Sequence, residues 1–409
     1  MLTCLRDWLK TAYHLLCLGI LLWLWGAVFM QFLGIMLPRL DHLGLAGMSV
    51  NDRPCGSPQC DFSGFWAAGL LARAGQFSVL FDPQAFLGFL HRIFSPDAEM
   101  IRWYYPPVAL LPVAVISFLP FELAFWVWNI CFLAASVWLL RKAGLVWPVV
   151  AMVLMSPAAL WNLELGQFGI IMGSCLIFGL FCLAREKWQG GAVLGILLCK
   201  PQYALLTPVA MFACRSWRFM LACALVVGVL LLCSAGLFGL QVWHIYLTRG
   251  LRVSHEVLQL AFNGHNSEKF GVSVFWMVRS FGGGLSLSYW LQACCSLAAL
   301  LGTWLTWRHH GLAAEARVGV TVILSLLATP YGYTDDMVAW SAVLALSAWR
   351  RNWRLGGLDV LFWIWPMLCP VISERTGLLF TPVIVLLSLW RVTRRPGASP
   401  EFSLIRGHA

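Results

Sequence analysis

Charged residues are scarce in this sequence. Only 11% of its 409 residues are Asp, Glu, Lys or Arg, whereas 60% are hydrophobic. Soluble domains are about 25% charged, so the charges here are too few to solvate the surface of a soluble protein of this size. The mean hydropathy of +0.78 agrees with this reading. The composition is typical of an integral membrane protein that crosses the bilayer several times.

Metal-binding patterns are also missing. The 14 cysteines include no Cys-x-x-Cys pair and no His/Cys cluster at zinc spacing, and most lie within apolar runs, where Cys packs as a small hydrophobe. We therefore expect no metal and no cofactor. The net charge of +10 is carried mainly by short links between apolar runs, so we expect no nucleic-acid partner.

Apolar segments of about 20 residues predict transmembrane helices. The first follows Arg6 and Lys10; it exceeds the apolar core of a signal peptide and no clear cleavage site follows, so we expect a retained helix. The predicted spans are 12–36, 121–140, 147–161, 168–184, 217–240, 287–306, 316–329, 336–349, 357–372 and 376–391. Residues 104–119 and 190–213 are ambiguous, which gives an all-α protein of about 10–12 transmembrane helices. One membrane domain, 1–395, and a cytoplasmic tail, 396–409, are expected.

Basic residues predict the orientation through the positive-inside rule, which places them in the cytoplasm. Both termini are basic, and so are the links with Arg141-Lys142, Arg185/Lys187, Arg215/Arg218, Arg308/Arg317 and Arg350/Arg351/Arg354. Residues 38–103, 162–167, 241–286 and 329–335 then face outward from the inner (plasma) membrane. Lys200 lies at an outward break between two half-helices, and 104–119 becomes a re-entrant or interfacial helix. An alternative topology makes 104–119 and 190–213 single spans and moves Gln167 inside.

Asp61 lies in the first outer loop, ahead of an amphipathic stretch, 62–74; a second such stretch is 83–94. This position favours either a helix N-cap or a carboxylate held at the membrane surface for chemistry. The two roles are compatible, because a cap also fixes the carboxylate in place.

Lys200, followed by Pro201, interrupts an apolar stretch. A lysine at that depth is costly unless it meets water, a partner or an anion, and a lipid phosphate is a natural partner. The competing interpretation is a lysine that reaches the interface along its own aliphatic chain.

Other polar residues flank the predicted spans. Glu164 and Gln167 lie between two spans, where polar residues are functional candidates, although a plain turn ending at Gly166 is the alternative. Asp335 and Asp336 begin a span, where they either complement the helix dipole or bind a polar substrate or cation. Tyr104 and Tyr105 precede two prolines and favour a turn with interfacial tyrosines.

Taken in order, these motifs resemble glycosyltransferase family 87. The carriers, over about residues 15–390, are Asp61-Phe62, Tyr104 to Pro107, Gly166-Gln167, Lys200-Pro201, Asn266-Ser267 and Pro330-Tyr331 with Asp335. The resemblance implies a GT-C fold and transfer of a hexose, with mannose expected, from a polyprenyl-phosphate donor to a lipid or glycan acceptor on the non-cytoplasmic face. It also implies that Asp61 is the general base. A single Asp at this position, in place of a paired acidic motif, fits the metal-independent pattern.

Chemistry adds further expected roles. Displacing a lipid phosphate needs a base for the acceptor hydroxyl and a cation for the departing phosphate. Candidates for the cation are Lys200, Arg102 and Lys269, and candidates for substrate contacts are Tyr104, Tyr105, Gln167, Asn266, Asp335 and Asp336.

A transporter or flippase of lipid-linked sugar is the competing function, because an intramembrane lysine in a broken helix would suit one. A non-catalytic scaffold is a third. An enzyme requires Asp61 and Lys200 to face one outer cavity, whereas a transporter requires a polar site near the midplane that both sides can reach.

Cys55 and Cys60 lie on the predicted outer side, where disulfides persist. The Gly-Ser-Pro-Gln spacer between them can turn tightly enough to pair them. Such a bond would fix the backbone just before Asp61. The alternative is two free thiols.

Overall fold

The computed structural model describes residues 2–40, 61–94, 96, 98, 100–264, 267–309 and 311–393. Throughout these residues the regular structure is helical and contains no strand. In chain order the α-helices are α1 (Leu2–Leu40), α2 (Asp61–Arg73), α3 (Phe77–Leu80), α4 (Pro83–Ile93), α5 (Leu110–Ile116), α6 (Phe121–Lys142), α7 (Trp147–Leu154), α8 (Pro157–Leu165), α9 (Gly169–Ala184), α10 (Gln189–Gly195), α11 (Thr207–Cys214), α12 (Trp217–Phe238), α13 (Leu240–Ile245), α14 (Leu251–Gln259), α15 (Val274–Ser280), α16 (Leu285–Arg308), α17 (Ala314–Leu327), α18 (Val338–Arg350), α19 (Gly357–Thr376) and α20 (Thr381–Thr393).

Short 3-10 segments join several of these helices. They are Pro107–Ala109, Ile196–Cys199, Pro201–Ala204, Ser267–Phe270 and Thr334–Met337, and a π-helical turn, Tyr246–Gly250, joins α13 to α14.

Five helices are long and apolar enough to cross a membrane within the described ranges: α1, α6, α12, α16 and α19. The pair α7 and α8, bent by 51°, makes a sixth if it is one span. Four other predicted spans form helices of only 13–16 residues, namely α9, α17, α18 and α20. Length and composition thus identify fewer spans than the 10–12 expected, but the protein is an all-α polytopic membrane protein as predicted.

The basic links gather at one end of the helix bundle. Arg185 donates to the Ala143 carbonyl at 2.8 Å, and Arg317 donates to the Ala184 carbonyl at 3.4 Å. Arg350, at the end of α18, pairs with Glu315 near the start of α17. Arg351 and Arg391 both pair with Asp359, so the link after α18 and the last turn of α20 lie at this end as well.

Gln167 lies at the opposite end from these links. It precedes α9, whose 16 residues end beside Arg185 and span about 24 Å. Gln167 also donates to Asp61, a residue that both predicted topologies place outside. The alternative topology, with Gln167 inside, is therefore wrong.

Two local predictions are confirmed and one is corrected. The stretches 62–74 and 83–94 form α2 and α4, and the chain breaks at Lys200 between two 3-10 segments. The predicted span 147–161, however, is broken after Leu154. Pro157 lacks an N–H group and holds Ser156 extended, with φ −65° and ψ 152°, which ends the first helix.

Helix α2 is anchored by aromatic packing against its neighbours. Phe62 is fully buried against Phe121 and Phe125 of α6, and Phe65 lies edge-on to Phe168 with ring centroids 4.9 Å apart. At Gly69 an added Cβ would lie 2.1 Å from the Val113 carbonyl oxygen, so α2 and α5 can approach this closely only with glycine there. This packing fixes the first residue of α2, which is Asp61.

Candidate active site

A cavity of about 530 Å³ opens at the end of the bundle opposite the basic links. Small-molecule sites in proteins usually measure about 300–1,000 Å³, so this cavity has the size of a small-molecule site. Polar residues from distant parts of the chain line it, among them Asp61, Arg102, Tyr104, Tyr105, Gln167, Lys200 and Asp335. The expected meeting of Asp61 and Lys200 in one cavity is what the structure shows.

Asp61 is the first residue of α2 and is partly exposed. Its Oδ2 accepts a hydrogen bond of 2.6 Å from Nε2 of Gln167. Burial among protein atoms raises the pKa of Asp61 to about 6, and the hydrogen bond from Gln167 opposes that rise. The nearby Asp335 adds to the rise, and Lys200 reduces it. A carboxylate with such a pKa is ionised at neutral pH and can accept a proton.

Lys200 is bound by two carboxylates. Its Nζ lies 3.0 Å from Oδ2 of Asp335 and 2.5 Å from Oδ1 of Asp336, and only 2% of the residue is exposed. Oδ2 of Asp336 in turn accepts from the Tyr333 backbone N–H at 3.1 Å. The sequence predicted a lipid phosphate as the partner of Lys200; the protein's own acids neutralise its charge here. Asp335 also lines the cavity, and the triad carries a net charge of −1.

The other two candidate cations differ from each other. Arg102 lines the cavity, and no carboxylate of the described residues pairs with it. Lys269 lies 3.2 Å from Glu374 and is not among the residues that line the cavity. Arg102 is therefore the cation best placed to meet an anion inside the cavity.

Aromatic rings form much of the remaining wall. Tyr104 and Tyr105 are stacked with centroids 5.3 Å apart. Trp161 and Phe270, stacked at 5.5 Å, line the same cavity and were not singled out from the sequence. The position of Trp161 close before the Gly166-Gln167 turn could have suggested it.

Asn162 was another residue without a predicted role. It is fully buried, donates to the Asp335 carbonyl at 2.6 Å and accepts from the Ile170 N–H at 3.2 Å. It thereby ties the start of α9 to the loop that carries Asp335.

Three predicted residues lie outside the described part of the chain: Asn266, Cys55 and Cys60. Their expected roles, a substrate contact and a disulfide, stay predictions. Within the described part, no group of three or more His, Cys, Asp or Glu side chains is arranged to hold a metal ion.

The site thus combines an ionisable carboxylate, a guanidinium and aromatic rings around one cavity. Such a set can accept a proton from a hydroxyl and stabilise a departing anion. A family model, glycosyltransferase family 87, matches residues 103–330, more than half of the chain. The match includes Tyr104, Tyr105, Gln167 and Lys200. Asp61 and Arg102 precede it, and Asp335 follows it. No curated protein and no solved structure matches the chain.

Proposed function

Since the chain belongs to glycosyltransferase family 87 and is thus a membrane glycosyltransferase, we propose that it transfers a hexose, with mannose as the expected sugar, from a polyprenyl-phosphate donor. The acceptor is a lipid or glycan. The observation that carries this proposal is the presence of Asp61 and Arg102 on the wall of one cavity of small-molecule size.

The proposed reaction is a single inverting displacement. The acceptor hydroxyl attacks the anomeric carbon while Asp61 takes the hydroxyl proton. The bond from that carbon to the phosphate oxygen breaks, and its electron pair leaves with the polyprenyl phosphate. Arg102 stabilises the phosphate, because a guanidinium matches phosphate geometry with two hydrogen bonds.

Lys200 has an indirect role in this proposal. Its ammonium is held by Asp335 and Asp336, so its charge is already balanced before any donor binds. By fixing Asp335 at the cavity wall, Lys200 orients a carboxylate that can accept hydrogen bonds from the hydroxyl groups of the sugar. Tyr104 and Tyr105 supply ring faces for the apolar side of the sugar.

The membrane side follows from charge. The basic links lie at the end of the bundle opposite the cavity, and the positive-inside rule places that end in the cytoplasm. We therefore place the cavity on the extracytoplasmic side of the inner (plasma) membrane and both termini in the cytoplasm.

The test uses purified protein in nanodiscs, polyprenyl-phosphate-mannose with a radioactive sugar, and host membranes as a source of acceptor. Asp61→Asn should abolish transfer into the lipid and glycan fractions while the protein stays folded. Asp82→Asn is a matched control, because Asp82 caps α4 outside the cavity through Gln84 and Ala85 and Asn caps equally well. Near wild-type transfer by Asp61→Asn would show that Asp61 is not the base. Movement of donor across a bilayer without transfer would favour the transporter.

A further inference from the structure

The side chain of Gln167 is already engaged by the protein at both ends of its amide. Nε2 donates to Asp61 Oδ2 at 2.6 Å, and Oε1 accepts from the Phe168 backbone N–H at 3.3 Å. A reversed amide would set its oxygen against the carboxylate and its NH₂ against an N–H, so the partners fix its orientation. Gln167 is only 9% exposed. Little hydrogen-bonding capacity of this amide remains for a sugar, although the sequence analysis predicted that Gln167 contacts the substrate.

The turn that carries Gln167 is held firmly. Gly166 has φ +68°, a conformation that favours glycine, and its carbonyl accepts from Nε1 of Trp128 at 2.9 Å. The Gln167 N–H donates to the Asn162 carbonyl at 3.0 Å. A Cβ at position 166 would lie 2.6 Å from Cβ of Phe62. Glycine therefore lets the turn approach α2 closely enough for the amide to reach Asp61.

We propose that Gln167 is a positioning residue for the base, holding the Asp61 carboxylate through Oδ2 so that Oδ1 accepts the proton of the acceptor hydroxyl. This inference rests on the proposed function, because it requires Asp61 to be the base. Gln167 acts on Asp61 and does not itself contact the reacting atoms.

The surroundings of Asp61 decide the direction of the expected effect. The charged or titratable groups near Asp61 are Asp335, Lys200, Tyr104 and Tyr105, and Arg102 lines the same cavity. Burial raises the pKa of Asp61 to about 6, and the Gln167 amide lowers it. Removing the amide must then raise the pKa further, since a hydrogen bond to the charged form is lost. A base with a higher pKa becomes protonated earlier as the pH falls. The variant should therefore lose activity at a higher pH than the wild type does.

The test measures kcat/KM against pH for the transfer reaction in nanodiscs. Gln167→Met keeps the length of the side chain without its donors, and its acid limb should lie about one pH unit above that of the wild type, with the rate recovering at high pH. Gln167→Glu places a second carboxyl against Asp61 and should move the limb further. Gln202→Met is the matched control, because Gln202 also lines the cavity and no hydrogen bond joins it to Asp61 in the described residues; its limb should stay in place.

The outcomes separate two failures. If Gln167→Met and Gln167→Glu raise KM but leave the acid limb where it is, Gln167 is a substrate contact and the inference is overturned. If Asp61→Asn retains transfer, the proposed role of Asp61 fails first, whatever the Gln167 variants do. Loss of transfer in Asp61→Asn together with shifted limbs in both Gln167 variants supports the inference.

Discussion

Lys200→Met removes the cation from between two buried carboxylates. Nζ lies 3.0 Å from Asp335 and 2.5 Å from Asp336, and the side chains involved are 3%, 10% and 4% exposed. At so little exposure, water screens the two carboxylates only weakly. Breaking a buried ion pair by removing one partner costs about 3–5 kcal/mol, because it leaves uncompensated charge. We expect a loss of stability of this order.

The expected shift in melting temperature follows from the size of the chain. The unfolding entropy of soluble proteins, about 2.1 cal/mol/K per residue, is an upper limit for the 409 residues of a membrane protein, because its spans stay helical in the bilayer. A loss of about 3–5 kcal/mol should therefore lower Tm by about 4–6 °C or more. The assay is thermal unfolding of the purified protein in nanodiscs, followed by Trp fluorescence.

A double variant distinguishes the loss of charge balance from the loss of packing. The double variant Lys200→Met with Asp336→Asn removes one carboxylate together with the cation. Its decrease in Tm should therefore be roughly half of that caused by Lys200→Met alone. If Lys200→Met melts within about 1 °C of the wild type, the triad does not stabilise the fold. If the double variant melts no higher than the single one, the loss comes from packing.

Three further predictions follow from the same structure. Arg102→Gln should raise KM for the donor at least tenfold, because a charge-assisted contact to phosphate is lost; donor titrations that show an unchanged KM would remove Arg102 from the phosphate site. Gly169→Ala should reduce the yield of folded protein, because its Cβ would lie 2.2 Å from a backbone carbonyl oxygen, whereas Gly228→Ala, with nothing within 4 Å of its Cβ, should not; equal yields would contradict this. Cys55 and Cys60 should resist thiol labelling in non-reduced protein, and labelling of both would rule out the disulfide.

Much of the fold could be predicted because the bilayer makes each span apolar and each cytoplasmic link basic. The break at Lys200-Pro201 and the end of α8 at Gly166 carry local signals, a proline and a glycine. The sequence analysis predicted one span over 147–161, because the apolar run there is continuous. The proline at position 157 divides it into two helices. The shortness of α9 and α18 could not be predicted, since apolar residues do not reveal where a helix ends.

The sequence analysis predicted which residues belong to the candidate site better than it predicted which of them pair with each other. Asp61 and Lys200 stand out as polar residues in apolar surroundings, and the structure brings both to one cavity. The pairing of Lys200 with Asp335 and Asp336 joins positions about 135 residues apart. A single sequence contains no signal for such a pair, so a lipid phosphate seemed the natural partner. The hydrogen bond from Gln167 to Asp61 was missed for the same reason.

The most direct test of the donor site is a structure of the protein in nanodiscs with a polyprenyl-phosphate-sugar bound. The phosphate should lie against the Arg102 guanidinium, and the anomeric carbon should lie beside the Asp61 carboxylate, with reacting atoms about 3–3.5 Å apart once an acceptor is present. Density for the phosphate among the basic links at the other end of the bundle, or a sugar that does not touch Asp61, would contradict the assignment of this cavity.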